Sequence, residues 1–253
     1  MKVYAIIPAG GKGIRTGTSI PKQYVKVNGK EIIVYTLEVF QKNPLVDEII
    51  VSAESSYFGL LNRLKKKYHL SKVTRIVQGG KERQDSVFSG LSSLTLNPNL
   101  NLNPNLNLSN PITIKKSLTS LLKSYDLIVV HDAARPLLPQ NVLTNAIETA
   151  KEKGNALVCI KAKDTLIKGV RVVSSYLDRN EVLYVQTPQI FKYPDLMKAM
   201  KKAYAENFKG TDESMLVHSL GKKINIVEGS VFNFKITTRD DLVLFKQILR
   251  KRN

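Results

Sequence analysis

The chain has 253 residues, a formal net charge of +18 and a hydrophobic content of 43%, which suit one α/β domain with a sizeable core. No run of about 18 apolar residues predicts a membrane span, and the first residues lack the pattern of a signal peptide. Cys159 is the only cysteine in the sequence, so an intramolecular disulfide is excluded and a cytoplasmic location is expected.

The positive charge indicates anionic partners, either phosphate-bearing small molecules or nucleic acid. The lysine runs at 65–67, 115–116 and 222–223 read as solvated faces. Basic residues are scattered along the chain and no recognisable nucleic-acid-binding module is present. A basic nucleic-acid-binding protein therefore stays an alternative, and neither nucleic acid nor a membrane is the expected partner.

Strands alternate with helices along most of the chain. Strands are predicted at residues 3–8, 47–53, 73–77, 126–131 and 155–160. Helices are predicted at residues 31–43, 58–67, 83–94 and 140–153. This alternation predicts a mainly parallel sheet with helices on both faces, and a ligand site at the carboxyl ends of the strands.

Two segments break this rhythm. Residues 166–188 are rich in β-branched residues and turns, which favours a protruding β-hairpin or arm. Residues 96–107 read LNPNLN twice, and Asn and Pro at this density disfavour both helix and inner strand. Residues 95–118 are therefore predicted to be a low-complexity surface insertion within a single domain that spans residues 1–253.

A glycine-rich turn follows the first strand. Residues 8–17 read PAGGKGIRTG, and residues 21–24 read PKQY. Glycines there let backbone N–H groups close on phosphates, with Arg15 and Lys22 as nearby cations. A dinucleotide fingerprint is disfavoured because Pro21 interrupts the required helix, and a P-loop is disfavoured because Gly13, not Ser or Thr, follows Gly11-Lys12.

Further motifs follow in order along nearly the whole chain. They are GGKERQDSV at 79–87, VHDAARP at 130–136, Asp164-Thr165, Asp178-Arg179, QTPQIF at 186–191, TDES at 211–214 and FKIT at 234–237. Together with the glycine turn they resemble the methylerythritol phosphate cytidylyltransferases of bacterial isoprenoid synthesis. The resemblance implies a Rossmann-like three-layer α/β sandwich with a protruding β-arm, and a nucleotidyltransferase that joins CMP from CTP to a sugar-alcohol phosphate.

The resemblance also implies roles for individual residues around CTP. Arg15 and Lys22 would be the catalytic cations, because charge builds on the phosphorus oxygens during nucleotidyl transfer. Mg²⁺ would gather the triphosphate, and Asp132, after a buried strand, is the candidate ligand, although Asp also commonly caps turns there. The implied CTP-binding residues are Pro8, Ala9, Gly10, Gly11, Lys12, Gly13, Gly80, Lys81, Arg83, Ser86 and Ala133.

The second substrate has its own implied set of residues. The implied polyol-phosphate-binding residues are Arg135, Thr165, Arg179, Thr187, Thr211 and Lys235. Arg179 lies on the predicted arm, which in this family reaches into a partner subunit, so the resemblance implies a homodimer with shared active sites. Each of these basic residues, taken alone, could equally be ordinary surface charge in so basic a chain.

The closest rival function is a ribitol 5-phosphate cytidylyltransferase, which resembles the chain at the glycine turn and around Lys235. The two alanines of VHDAARP and Glu213 of TDES favour methylerythritol phosphate. No catalytic role is expected of the histidines: His69 and His218 lack partners at metal-ligand spacing, and His131 is expected to pack beside the strand end.

Overall fold

The computed structural model describes residues 1–11, 20–95 and 122–252. Within them a seven-stranded sheet has the order β11-β7-β10-β6-β1-β4-β5. Its strands are β1 (Val3–Pro8), β4 (Glu48–Ala53), β5 (Val73–Gln78), β6 (Leu127–Val130), β7 (Asn155–Lys161), β10 (Leu183–Lys192) and β11 (Ile226–Glu228). Only β10 is antiparallel to its neighbours; the other pairings are parallel.

Helices cover both faces of this sheet. They are α1 (Ile32–Lys42), α2 (Phe58–Lys67), α3 (Arg83–Ser93), α4 (Gln140–Lys153), α5 (Tyr193–Ala205), α6 (Glu213–His218) and α7 (Arg239–Arg252). A small hairpin of β2 (Lys26–Val27) and β3 (Lys30–Glu31) precedes α1. The expected three-layer α/β sandwich is confirmed.

The alternation of side chains along β1 shows how the two core layers form. Ala5 and Ile7 pack on one face with residues of α1, α2 and α4, while Tyr4 and Ile6 pack on the other with residues of α3, α5 and α6. Successive strand residues point to opposite faces, and each fully buried large aliphatic side chain contributes about 1.5–3 kcal/mol. The sheet is thereby a rigid base for the loops at its carboxyl edge.

The predicted elements agree closely with the observed ones up to β7. The helices predicted at residues 58–67 and 140–153 have those bounds in the structure. Gly154 ends α4 in the left-handed region, with φ of 86°, where glycine carries no Cβ penalty.

The predicted arm at residues 166–188 is only partly separate from the sheet. β8 (Leu166–Gly169) and β9 (Val173–Leu177) form an antiparallel hairpin, but residues from Leu183 onward belong to β10 and enter the central sheet. The arm is therefore shorter than predicted. The predicted insertion at 95–118 lies almost wholly outside the described residues.

Candidate active site

The carboxyl ends of β1, β5 and β6 meet at one edge of the sheet, where they frame a cleft of about 560 Å³. That volume falls within the range of small-molecule sites. Its described lining comprises Pro8, Ala9, Gly10, Gly11, Lys22, Gln23, Gly80, Lys81, Glu82, Arg83, Ser86, Asp132, Ala133, Ala134 and Lys235. Three glycines and four cationic side chains are among these residues.

The glycine turn after β1 is clamped by one buried side chain. Gln23, 4% exposed, donates from Nε2 to the carbonyls of Ala9 at 2.6 Å and Gly11 at 3.0 Å. The hydroxyl of Tyr24 also donates to the Ala9 carbonyl, at 3.3 Å. These donors hold the carbonyls of Ala9 and Gly11, so the described start of the turn, residues 8–11, is shaped before any ligand binds.

The segment that joins β5 to α3 forms another wall of the cleft. Asp85 caps its own helix start by accepting from the backbone N–H of Glu82 at 3.0 Å, a capping-box contact. Ser86 is buried; its hydroxyl accepts from the Gly80 N–H at 3.2 Å and donates to the Glu82 carbonyl at 3.1 Å. Ser86 therefore shapes the segment through its side chain, and its predicted contact with CTP stays a prediction.

Asp132, directly after β6, is the centre of an ionic network. Its Oδ1 accepts from Arg83 Nε at 3.0 Å. Its Oδ2 lies 3.2 Å from Arg135 Nε and 3.0 Å from Lys235 Nζ. Arg83 Nη1 in turn donates to both carboxylate oxygens of Glu213, at 2.6 and 2.8 Å. Three cations and two carboxylates leave this network with one net positive charge.

The ionisation of this network follows from those contacts. Burial alone would raise the pKa of Asp132, but Arg83, Lys235 and Arg135 outweigh it and hold the pKa well below its usual value. Burial raises the pKa of Glu213, against the opposing effect of Arg83. Burial would lower the pKa of Arg83, but Glu213 and Asp132 raise it overall. Asp132 and Arg83 are thus ionised at neutral pH.

A buried hydrogen-bond relay fixes the backbone of Asp132. Thr187 Oγ1 accepts from the Asp132 N–H at 3.1 Å and lies 3.0 Å from His131 Nδ1. His131 Nε2 lies 3.2 Å from the Arg135 carbonyl. Since a carbonyl only accepts, the bonds assign the ring proton to Nε2 and leave Nδ1 to accept from Thr187. Burial lowers the pKa of His131 to about 4, so the ring is neutral.

Lys235 reaches the cleft from a loop that is anchored by Asn233. The Asn233 amide donates to the Thr187 carbonyl at 2.7 Å and to Gln186 Oε1 at 3.1 Å. The Asn233 carbonyl accepts from Arg135 Nη1 at 2.7 Å. These bonds tie the loop to β10 and deliver the Lys235 ammonium, whose side chain is 36% exposed, to Asp132.

Most residues predicted to bind CTP lie together in this cleft. They are Pro8, Ala9, Gly10, Gly11, Gly80, Lys81, Arg83, Ser86 and Ala133, joined by Lys22 and Lys235. The predicted residues Lys12, Gly13 and Arg15 lie outside the described residues. Their roles stay predictions.

Two residues predicted to bind the polyol phosphate have partners within the structure. Thr187 is 4% exposed, and its hydroxyl is used in the relay to Asp132 and His131. The side chain of Arg135, 12% exposed, is held by Asp132 and by the Asn233 carbonyl. Neither is in the described lining of the cleft; both have a positioning role in this geometry, and their contact with the polyol phosphate stays a prediction.

The remaining predicted polyol-phosphate residues lie outside the cleft lining. Thr165 and Arg179 are exposed at the base of the arm, where Arg179 Nη1 donates to the Lys163 carbonyl at 3.4 Å. Thr211 is exposed just before α6. One protomer does not bring these three side chains into the cleft beside Lys235.

The described residues do not build a magnesium site by themselves. No group of three or more His, Cys, Asp or Glu side chains among them could hold a metal ion. Asp132, the predicted ligand, already has both oxygens occupied by Arg83, Arg135 and Lys235. A divalent cation would have to displace a cationic side chain to reach it, so the prediction that Asp132 ligates the metal does not fit this geometry.

The sequence alone does not predict the structural roles of Gln23, Glu213 and Asn233. The motif TDES gives an indication for Glu213, because an acidic residue that directly follows the helix-capping Asp212 is a candidate partner for a cation. Asn233 and Gln23 carried no such signal, because amides that bond to backbone carbonyls leave no trace in charge or hydrophobic pattern.

Comparison with known proteins identifies the family to which the chain belongs. The family model for 2-C-methyl-D-erythritol 4-phosphate cytidylyltransferase matches residues 3–102 and 111–251. The chain belongs to this cytidylyltransferase family. The match passes over residues 103–110, which lie inside the predicted insertion.

Individual cytidylyltransferases agree with that assignment over the whole length. Proteins of that name from Syntrophus aciditrophicus and Geobacter metallireducens are each 37% identical, with 99% and 100% of this chain and 97% and 99% of the relatives covered. The crystal structure of the Francisella tularensis cytidylyltransferase is 30% identical and superposes with a TM-score of 0.75, over 98% of this chain and 99% of that one.

Proposed function

We propose that this enzyme transfers CMP from CTP to 2-C-methyl-D-erythritol 4-phosphate, which gives 4-diphosphocytidyl-2-C-methyl-D-erythritol and pyrophosphate in the non-mevalonate route to isoprenoids. The observation that carries this proposal is the cleft at the carboxyl edge of the sheet. There two glycine turns meet four cationic side chains: Lys22, Lys81, Arg83 and Lys235. Nearby carboxylates are paired with cations, which favours a polyanionic ligand.

The reaction requires stabilisation of charge and no covalent enzyme intermediate. An oxygen of the substrate phosphate attacks the α-phosphorus of CTP, a new P–O bond forms, and the bond to the β-phosphate breaks so that pyrophosphate leaves. The attacking phosphate is already anionic and needs no general base. Backbone N–H groups and cations fixed before binding lower the energy of the charge that develops on phosphorus.

Lys22 is proposed to stabilise that charge, together with Arg15. Lys22 stands at the start of a short 3-10 helix, next to Gln23, which clamps the glycine turn. Gln23 thereby joins the short helix that carries Lys22 to the described start of the glycine turn, residues 8–11. A charge held in place this way loses little free energy to reorganisation when the transition state forms.

The polyol phosphate is proposed to bind between protomers of a homodimer. Lys235 provides one cation in the cleft. Arg179 and Thr165 lie exposed at the arm of the same protomer, outside its cleft, so they could contact the substrate only in the cleft of another protomer. The arm also exposes large apolar side chains, of which Val170, Val172 and Tyr176 are at least 72% exposed. Such a patch suits burial against a second copy, which would bring Arg179 and Thr165 to the partner's cleft.

Several broader proposals accompany this function. A divalent cation such as Mg²⁺ would be held by triphosphate oxygens, since the described side chains build no cage for it.

The chain would act as one domain with an insertion at about 95–118, and would work in the cytoplasm, where the buried thiol of Cys159 would remain reduced. No helix of the described ranges has the length and apolar character to span a membrane.

The test is pyrophosphate release from CTP and Mg²⁺ with each polyol phosphate supplied separately. The proposal expects fast turnover with methylerythritol phosphate and little with ribitol 5-phosphate. Faster turnover with ribitol 5-phosphate would replace the proposed substrate. No turnover with either, together with salt-sensitive retention of nucleic acid on a filter, would favour a nucleic-acid-binding protein.

A further inference from the structure

Glu213 is a buried carboxylate that the reaction described above does not use. It is the first residue of α6 and 1% exposed, and it is absent from the described lining of the cleft. Both of its oxygens accept from Arg83 Nη1, at 2.6 and 2.8 Å. A buried carboxylate with such short charge-assisted bonds is rigidly tied to its partner.

Arg83 connects Glu213 to the cleft. Its Nε donates to Asp132 at 3.0 Å, its Nη1 is held by Glu213, and its side chain is 29% exposed at the cleft wall. Among the described residues no hydrogen bond is made by Arg83 Nη2. Two carboxylates therefore fix the plane of the guanidinium, and its remaining N–H donors are available to a ligand.

The segment that carries Glu213 is itself anchored. Asp212 accepts from the Met215 N–H at 2.8 Å and caps α6, and the Ser214 N–H donates to Gln189 of β10 at 2.9 Å. Gln84, the neighbour of Arg83, accepts from the Gly210 N–H at 3.1 Å. Glu213 is thus held against both the central sheet and α3, which a positioning group requires.

We propose that Glu213 is a positioning residue for CTP: it acts through Arg83, whose guanidinium it holds in the orientation that meets the nucleotide. The proposal rests on the proposed function, since it takes CTP to be the ligand of the cleft. Without Glu213, Arg83 keeps only Asp132 as a carboxylate partner, and that carboxylate also pairs with Arg135 and Lys235 through its other oxygen.

The direction in which CTP affinity changes when Glu213 is neutralised distinguishes a positioning role from a purely electrostatic one. Glu213 is negative and stands one side chain away from a site for a polyanion, so neutralising it by charge alone would strengthen CTP binding. If Glu213 positions Arg83, neutralising it weakens CTP binding instead. Charge-assisted hydrogen bonds of this kind correspond to about tenfold or more in affinity.

The experiment compares CTP affinity of Glu213→Gln, Glu213→Asp and the wild type, measured by titration calorimetry with CTP and Mg²⁺ alone. Glu213→Gln should raise the dissociation constant about tenfold, and Glu213→Asp, which keeps the charge one methylene further back, about threefold. The matched control is Glu206→Gln, a charge removed from an exposed side chain; it should leave affinity unchanged. Thermal melting checks that each variant is folded.

Two results would overturn the proposal. Tighter CTP binding in Glu213→Gln would show that only charge is involved, and unchanged binding would show that Glu213 does not position Arg83 for CTP. If that variant does not fold, wild-type affinity in Glu213→Asp decides against the proposal. The second result concerns Glu213→Gln in an Arg83→Gln background. If it lowers CTP affinity there by the same factor as in the wild type, Glu213 does not act through Arg83. Wild-type protein that binds CTP but transfers no CMP would refute the proposed function alone, since these affinities would still be measured.

Discussion

At the scale of single residues, the sequence predicts the contents of the cleft better than it predicts the partners of each side chain. Glycines after strands and cations near them are visible in the sequence, and Gly10, Gly80, Lys22 and Lys235 line one cleft. The sequence does not show that Arg135 is already held by Asp132. A motif identifies the residues that come together. Burial then decides which of them a ligand can reach.

Lys22 is expected to act on the rate more than on binding. Lys22→Ala should lower kcat about 10²–10³-fold and change the KM for CTP much less, because the charge is matched to the transition state. Steady-state kinetics with both substrates check this. Lys66→Ala, which removes an exposed lysine of α2, is the matched control. A KM effect with unchanged kcat would make Lys22 a binding residue only.

The neutral state of His131 makes stability depend on pH. Burial lowers the folded pKa to about 4, whereas an unfolded imidazole titrates near 6.5. Between these values the unfolded chain binds the extra proton, so the contribution is fully present above about pH 6.5 and is lost as pH falls to about 4. The loss is at most about 3 kcal/mol.

Denaturant unfolding of the wild type and His131→Gln between pH 7 and pH 4.5 tests this dependence. The variant should be less stable at pH 7 and should lose less stability on acidification than the wild type does. His218→Gln changes an exposed histidine and should keep the wild-type slope. Identical slopes in the wild type and His131→Gln would mean that this ring does not titrate as described.

At the scale of elements, the alternating pattern predicts the parallel strands and their helices, because each buries an apolar face. β10 is the strand that the pattern misplaces: its beginning reads as part of the arm, yet residues from Leu183 onward pair with β7. An antiparallel strand inserted between parallel ones leaves no signal in local periodicity. Its place is set by contacts with β6 and β7, which are distant in sequence.

The glycine turn depends on its clamp. Gln23→Glu replaces the amide donor with an acceptor that faces the carbonyls of Ala9 and Gly11, so the turn should lose its shape and CTP affinity should fall by about tenfold or more. Calorimetric titration measures the affinity. Gln41→Glu, a matched change in a half-buried amide that bonds Ser71 and the Lys72 N–H away from the cleft, should leave CTP affinity unchanged. Unchanged affinity in Gln23→Glu would show that the turn holds its form without the clamp.

At the scale of the whole molecule, the arm is the feature that one protomer does not explain. If Arg179 serves the partner's cleft, co-expressing Lys22→Ala chains with Arg179→Ala chains should restore activity, since each mixed dimer then contains one site with both residues intact. Random pairing predicts about a quarter of wild-type activity, measured after mixed dimers are confirmed by differently tagged chains. Confirmed mixed dimers without recovery would contradict shared sites.

The proposed reaction joins CMP to methylerythritol phosphate with loss of pyrophosphate. It can be followed over time in the phosphorus NMR spectrum of purified enzyme with CTP, Mg²⁺ and methylerythritol phosphate. If CMP is transferred, the substrate phosphomonoester resonance disappears while diphosphate-diester resonances and pyrophosphate grow in equal amounts. Release of inorganic phosphate, or pyrophosphate without a new diphosphate diester, would contradict it.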